Sequence, residues 1–92
     1  MSTVLFSLGQ CVITPDAEAL LASININPFE LLRRHQTGDW LEMAKQDQAE
    51  NHAAIKNGFR VFSVYTLTNT ICVWVITEAD RSVSTILLPS EY

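Results

Sequence analysis

Catalytic residue types are scarce in this chain, and the spacings that would organise them are absent. It holds two histidines and two cysteines, and none of the H-E-x-x-H, C-x-x-C or G-x-S-x-G arrangements occurs. A hydrolytic or metal site would therefore need side chains gathered from distant sequence. Glycine and proline number three each, which leaves no linker and no glycine-rich phosphate loop. No apolar run approaches the length of a membrane span. The opening MSTVLFSLGQ has neither a basic stretch nor a cleavage site, so it does not read as a signal peptide and a cytosolic protein is expected. Lysine and arginine together number six against ten acids, for a net charge of -4. That disfavours general, salt-driven binding to nucleic acid, while leaving room for local basic contacts.

What is present describes a small globule. Ninety-two residues, 48% of them hydrophobic and 17% charged, fit one domain spanning 1–92 with a single core. Cys11 and Cys72 lie in apolar, strand-like surroundings and are expected as reduced, buried core residues.

Along the chain, TVLFSLGQCVI (3–13) reads as one strand bent or bulged at Gly9, or as two short strands. Thr14-Pro15 starts a helix, with Asp16 and Glu18 near its positive end and Leu20 and Leu21 facing inward to about Ser23. Asn27-Pro28-Phe29-Glu30 starts a second helix over 28–36, with Asn27 and Glu30 as a capping box and Ile26 and Leu31 as a hydrophobic staple. Phe29, Leu32 and His35 or Gln36 fall along one side of it, and Gly38 ends it. Asp39 with Glu42 and Asp47 with Glu50 form two further capping pairs. Residues 40–56 are therefore one helix, or a turn at 40–45 and a helix at 48–56, and the second capping pair favours the split.

From Gly58 the period becomes two. Val61, Ser63, Tyr65 and Leu67 face one way and Arg60, Phe62, Val64 and Thr66 the other. Thr68-Asn69 turns the chain into Thr70–Thr77, apolar on both faces and so a central strand. Glu78-Ala79-Asp80-Arg81 turns it again into Ser82–Leu88, which Pro89 stops. The fold expected is α+β: a three- to four-stranded antiparallel sheet with two to three N-terminal helices packed on one face. The first strand should join at an edge or beside the last strand.

Both histidines read as helix-surface residues, and Glu78 with Asp80 as a solvated turn rather than a cation site. Basic and aromatic groups crowd together at Arg33, Arg34, His35 and Trp40, a combination suited to stacking on bases or docking in a partner groove. Lys45, Arg60 and Arg81 are further candidate contacts, the last two forming a second patch if they share an exposed sheet face. Tyr65 and Trp74 could bind single-stranded nucleic acid from an open face or fill the core. A hydrolase using His52 with Glu50 or Asp47 lacks an activated nucleophile.

LGQ (8–10), TP (14–15), RHQTGDW (34–40), AEN (49–51), SVYTL (63–67) and WVITEADRSVSTILLPSEY (74–92) carry a likeness along almost the whole chain. On these residues the protein resembles the small "plasmid-related" proteins of bacterial plasmids, prophages and other mobile elements. Those proteins usually have glycine after the GDW tryptophan. Leu41 stands there in this chain, a departure that bears on the loop and favours an earlier helix start. In size, acidity and mobile-element likeness the chain also resembles the phage type I-F anti-CRISPR inhibitors. That resemblance implies a non-enzymatic, cofactor-free inhibitor in the bacterial cytoplasm, with no membrane or small-molecule partner. It would bind the host crRNA-guided surveillance complex, its backbone Cas subunits and guide RNA, and block target-DNA hybridisation. Arg33, Arg34, His35, Trp40, Lys45, Arg60 and Arg81 would then meet protein acids or guide-RNA phosphates. The alternative is a plasmid-maintenance or transcription-regulating binding module, which the acidic balance and the lack of a basic recognition helix oppose.

Overall fold

A computed structural model describes residues 3–92, so the first two residues of the opening stretch lie outside the described residues. Strand β1 (Gln10–Ile13) leads into helices α1 (Pro15–Ser23), α2 (Pro28–Gln36) and α3 (Lys45–Asn57). Strands β2 (Val61–Thr66), β3 (Cys72–Thr77) and β4 (Val83–Leu87) follow, and a 3-10 turn at Pro89–Glu91 closes the chain. The fold is α+β, with the sheet in the order β1-β4-β3-β2. As the alternation predicts, β3 is interior and β1 sits on an edge beside β4. β2, β3 and β4 pair antiparallel, whereas β1 pairs parallel to β4, so the sheet is mixed. Three helices and two strands intervene between β1 and β4, and a connection that long permits parallel pairing where a hairpin could not.

The helices are local consequences of sequence. Thr14 Oγ1 accepts from the Ala17 N–H at 3.2 Å, and Pro15 occupies the first helical position. Asn27 Oδ1 accepts from the Phe29 N–H at 2.9 Å, but the reciprocal Glu30 bond of a capping box does not form. Residues 40–56 divide as favoured. A turn closes with the Met43 N–H on the Trp40 carbonyl, and α3 starts at Lys45 behind Ala44, which gives no side-chain cap. Asp47 therefore lies within the first turn of α3. Gly58 ends α3 with a φ of 76°, a left-handed position that glycine takes without a Cβ penalty.

One sheet face meets the helices. Val61, Ser63, Tyr65, Val73, Val75, Thr77, Ser84 and Ile86 are buried there with Ala17, Leu21, Leu31, Leu32, Trp40 and Ala54. On the opposite face Phe62, Trp74 and Tyr92 form an edge-on aromatic cluster, with ring centroids 4.8 to 6.1 Å apart. Tyr65 and Trp74 thus lie on opposite faces. Leu87 and Ile76 are buried on the outer side as the C-terminal turn folds back over β3.

Several expectations are corrected. The strand within 3–13 is confined to Gln10–Ile13. The Leu5 N–H is bonded to the Gln36 carbonyl at 2.9 Å, which holds the preceding segment against the end of α2. Gly9, at a φ of 64°, turns that segment into β1. Cys11 is exposed and Cys72 half-buried, because β1 is short and at an edge while Cys72 opens β3 on the outer face; both are free thiols. Phe29, the second residue of α2, is 72% exposed at the rim of a groove beside β1, whereas Leu32 and His35 further along the helix are buried. No described helix is long and apolar enough to cross a membrane.

Candidate functional site

The basic and aromatic residues read as one patch part company. His35, expected on a helix surface, is 0% exposed, and Trp40 is 2% exposed. Both belong to a buried polar chain. The Trp40 indole N–H donates to Ser63 Oγ at 2.6 Å, and Ser63 Oγ also meets His35 Nδ1. His35 Nε2 lies 2.8 Å from Thr77 Oγ1, which lies 2.6 Å from Ser84 Oγ, and Ser84 Oγ donates to the Leu8 carbonyl at 2.7 Å.

The two ends fix every proton between them. The Leu8 carbonyl can only accept, so Ser84 spends its hydrogen there and must accept from Thr77. Thr77 must then accept from an Nε2–H of His35, and in the neutral ring Nδ1 is a lone pair that accepts from Ser63. Ser63 takes the indole N–H, a donor with no acceptor function. His35 is therefore the neutral Nε2–H tautomer. Burial first, and the positive charge of Arg81 second, push its pKa down to about 3. With solvent excluded and each hydroxyl committed, this imidazole and these hydroxyls act as a structural spine.

Tyr65, beside this spine, has the only buried side-chain polar atom without a hydrogen-bond partner among the described residues. Burial pushes its phenol up to about 12. Ser63 is near enough to oppose that rise but does not bond the hydroxyl.

Arg81 is also committed inward. Its guanidinium donates to the carbonyls of Phe59 (2.7 Å), Glu78 (3.1 Å), Ala79 (3.3 Å) and Ala54 (3.1 Å) and lies 5.7 Å from the centre of the Phe6 ring. It thereby pins the end of α3 to the β3–β4 turn. Arg60 is on the outer side of the sheet, 3.6 Å from Glu78 and bonded to the Tyr92 hydroxyl at 3.2 Å. Arg60 and Arg81 therefore do not form one exposed sheet-face patch, and the sheet separates Arg60 from α2.

The surface that remains is the corner between α2 and α3. A cleft of about 480 Å³ lies there, lined by Glu30, Arg33, Arg34, Thr37, Gly38, Asp39 and Leu41. Arg34 forms its inner wall. It donates to Asp39 at 2.8 Å and Glu42 at 3.0 Å, and its guanidinium stacks 4.4 Å above the Tyr65 ring. Partial burial works against its charge, but the two carboxylates hold its pKa above the ordinary value. Asp39 and Glu42, read from sequence as a helix cap, thus serve as the counter-ions of Arg34. Arg33 is exposed on the last turn of α2 and Lys45 on the first turn of α3, and neither enters an ion pair among the described residues.

Leu41, between them, is 86% exposed. Its φ is not positive, so the turn does not require glycine there. Sequence reasoning passed over Leu41 as a contact, although an apolar residue between the turn-forming Gly38-Asp39 and the charged start of α3 was a usable signal. His52 is exposed on α3 with its ring edge-on to Trp40 at 5.1 Å. No group of described His, Cys, Asp and Glu residues could hold a metal ion.

Residues scattered along the chain converge on the interior. Leu8, His35, Trp40, Ser63, Thr77 and Ser84 form the spine. Glu91 accepts from the Thr14 hydroxyl at 2.7 Å, and Asn51 binds the β2 backbone. No family model, no curated protein and no solved structure matches the chain.

Proposed function

We propose that this chain is a non-enzymatic binding protein that docks through the α2–α3 corner. The observation that carries the reading is the exposure of Arg33 and of the apolar Leu41 on the lining of the cleft, with Lys45 exposed four residues further on at the start of α3 and both cations free of ion pairs among the described residues. Such a surface offers two cations to phosphates or carboxylates and one apolar anchor to a partner pocket. Arg34 is pre-organised by Asp39, Glu42 and Tyr65, so the cleft wall loses little freedom on docking. A binder is favoured over a catalyst because the imidazole and hydroxyls suited to proton transfer are sealed inside and already satisfied.

The partner follows from the resemblance rather than from the corner itself: a type I-F crRNA-guided surveillance complex. A 10.3 kDa wedge seated beside the guide, with Arg33 and Lys45 on guide-RNA phosphates or acidic side chains, would stop the growing heteroduplex. Early pairs nucleate the later ones, so a block there prevents target capture. The test mixes the protein with a purified type I-F complex, separates the mixture by size exclusion and measures target-DNA hybridisation. Co-elution with loss of hybridisation is expected. Arg33→Glu with Lys45→Glu should weaken association by about tenfold or more while leaving the melting temperature in place. Elution apart from the complex would remove the surveillance-complex reading, and an unchanged affinity of the double variant would remove the corner as the interface.

A further inference from the structure

The two edges of the sheet are finished differently. On β2 the backbone of Phe62 points outward and is fully engaged: its N–H donates to Asn51 Oδ1 at 3.0 Å and its carbonyl accepts from Asn51 Nδ2 at 2.7 Å. Asn51 thus imitates a neighbouring strand and closes that edge. Among the described residues nothing comparable closes β1. The Gln10 N–H reaches the Ser82 carbonyl at 2.9 Å and the Thr14 N–H reaches the Ile86 carbonyl at 3.1 Å. In a parallel ladder the intervening groups alternate, so the N–H and C=O of Cys11 and Ile13 point away from β4.

An apolar groove of about 180 Å³ runs beside this open edge, lined by Cys11, Val12, Ile13, Glu18, Pro28, Phe29, Leu32 and Ile86. Phe29 and Val12 are largely exposed at its rim, at 72% and 39%. We propose that β1 accepts a fifth strand, an extended peptide segment of a partner protein that carries an aliphatic side chain flanked by basic residues. The backbone of such a segment satisfies the outward groups of Cys11 and Ile13. Its side chains alternate, so one on the helix side drops against Leu32 and Phe29.

Charge selects the flanks. Glu18 lines the groove. A second copy of the chain would set Glu18 against its own equivalent, with a net charge of -4 on each copy. The surface lies on β1 and the start of α2, at the other end of α2 from Arg33, and does not depend on that corner being an interface.

The probe is the synthetic peptide KKVTVTVKK, titrated into the full chain while backbone amide hydrogen exchange is followed. The Cys11 and Ile13 amides should become protected by about tenfold or more as the peptide saturates. Methylating alternate peptide nitrogens should abolish that protection. Cys11→Pro deletes one outward N–H at an edge position that tolerates proline, and Phe29→Lys sets a cation against the basic flanks; each should weaken binding by about tenfold or more. Loss of circular dichroism in the proline variant would leave the methylated peptide and the Phe29 variant to decide. Unchanged exchange at Cys11 and Ile13 overturns the proposal. Equal affinity for EEVTVTVEE overturns its charge rule, and a concentration-dependent dimer that protects the same amides without peptide overturns its choice of occupant.

Discussion

His35 Nδ1 accepts from the hydroxyl of Ser63, a residue 28 positions later in the chain, and burial keeps this imidazole neutral at the centre of the protein. Its other nitrogen donates to Thr77, so one ring ties α2 to both β2 and β3. Protonating the ring would put a second donor on Ser63 and an unpaired charge in the core.

That arrangement sets the acid response. The folded pKa of His35, near 3, lies below the ordinary 6.5, so the unfolded chain binds the extra proton between those values. Stability is then full above about pH 7, falls as the pH drops through 6.5, and levels off below 3. The loss from this group is about 2 kcal/mol at pH 5 and about 4 kcal/mol at pH 3, a large part of the whole stability of a small domain. Urea denaturation between pH 7 and pH 4 should show this slope, and His35→Gln, though less stable at pH 7, should flatten it. A slope unchanged in that variant would assign the acid response to other groups.

Arg81 and Arg33 should separate cleanly. Arg81→Ala removes a guanidinium that serves four backbone carbonyls and should cost about 2 to 3 kcal/mol. Arg33→Ala, at an exposed position, should change stability by less than about 0.5 kcal/mol. Chemical denaturation of the two variants side by side checks this, and equal midpoints would contradict the clamp.

Gly9 should not accept alanine. A Cβ there would overlap the backbone oxygens of Arg81 and Ser82, and the φ of 64° is itself unfavourable for a side chain. A loss of about 3 kcal/mol or more is expected, with Gly58→Ala, where a Cβ meets open space, costing only about 1 kcal/mol for its own positive φ. Thermal melts of the two variants rank them.

Asn51→Leu should expose the edge that Asn51 now closes. Two backbone groups of Phe62 lose their partners, costing about 2 kcal/mol, and the variant should associate through β2 at high concentration. Light scattering and denaturation are the measurements. A monomeric variant of unchanged stability would show that α3 shields the edge without Asn51.

Much of the fold was legible because its signals are local. Thr14-Pro15 and Asn27-Pro28 start helices by supplying an acceptor and a preset φ, whatever lies around them. The alternation through Val61, Ser63 and Tyr65, and the two-faced apolar run of β3, declared their faces and the interior place of β3. Histidine, tryptophan and arginine were not legible in the same way, because their side chains are amphipathic and suit a surface or a core equally. Arg33, Arg34, His35 and Trp40 looked like one basic and aromatic patch. The tertiary structure divides it: Arg33 faces solvent, Arg34 is held by two carboxylates, and His35 and Trp40 go inside.

The sequence by itself determined where α1 and α2 begin and which residues of β2 and β3 share a face, since capping and hydrophobic period act within a few residues. Only the tertiary structure decided which polar groups are spent inside. Ser63, Thr77 and Ser84 lie on separate strands, and only when those strands pair do their hydroxyls line up to accept and donate around His35. It decided likewise that Arg81 is a clamp while Arg33 and Lys45 remain free of ion pairs among the described residues. The partners of Arg81 are backbone carbonyls as distant in sequence as Ala54 and Phe59, which no local pattern announces.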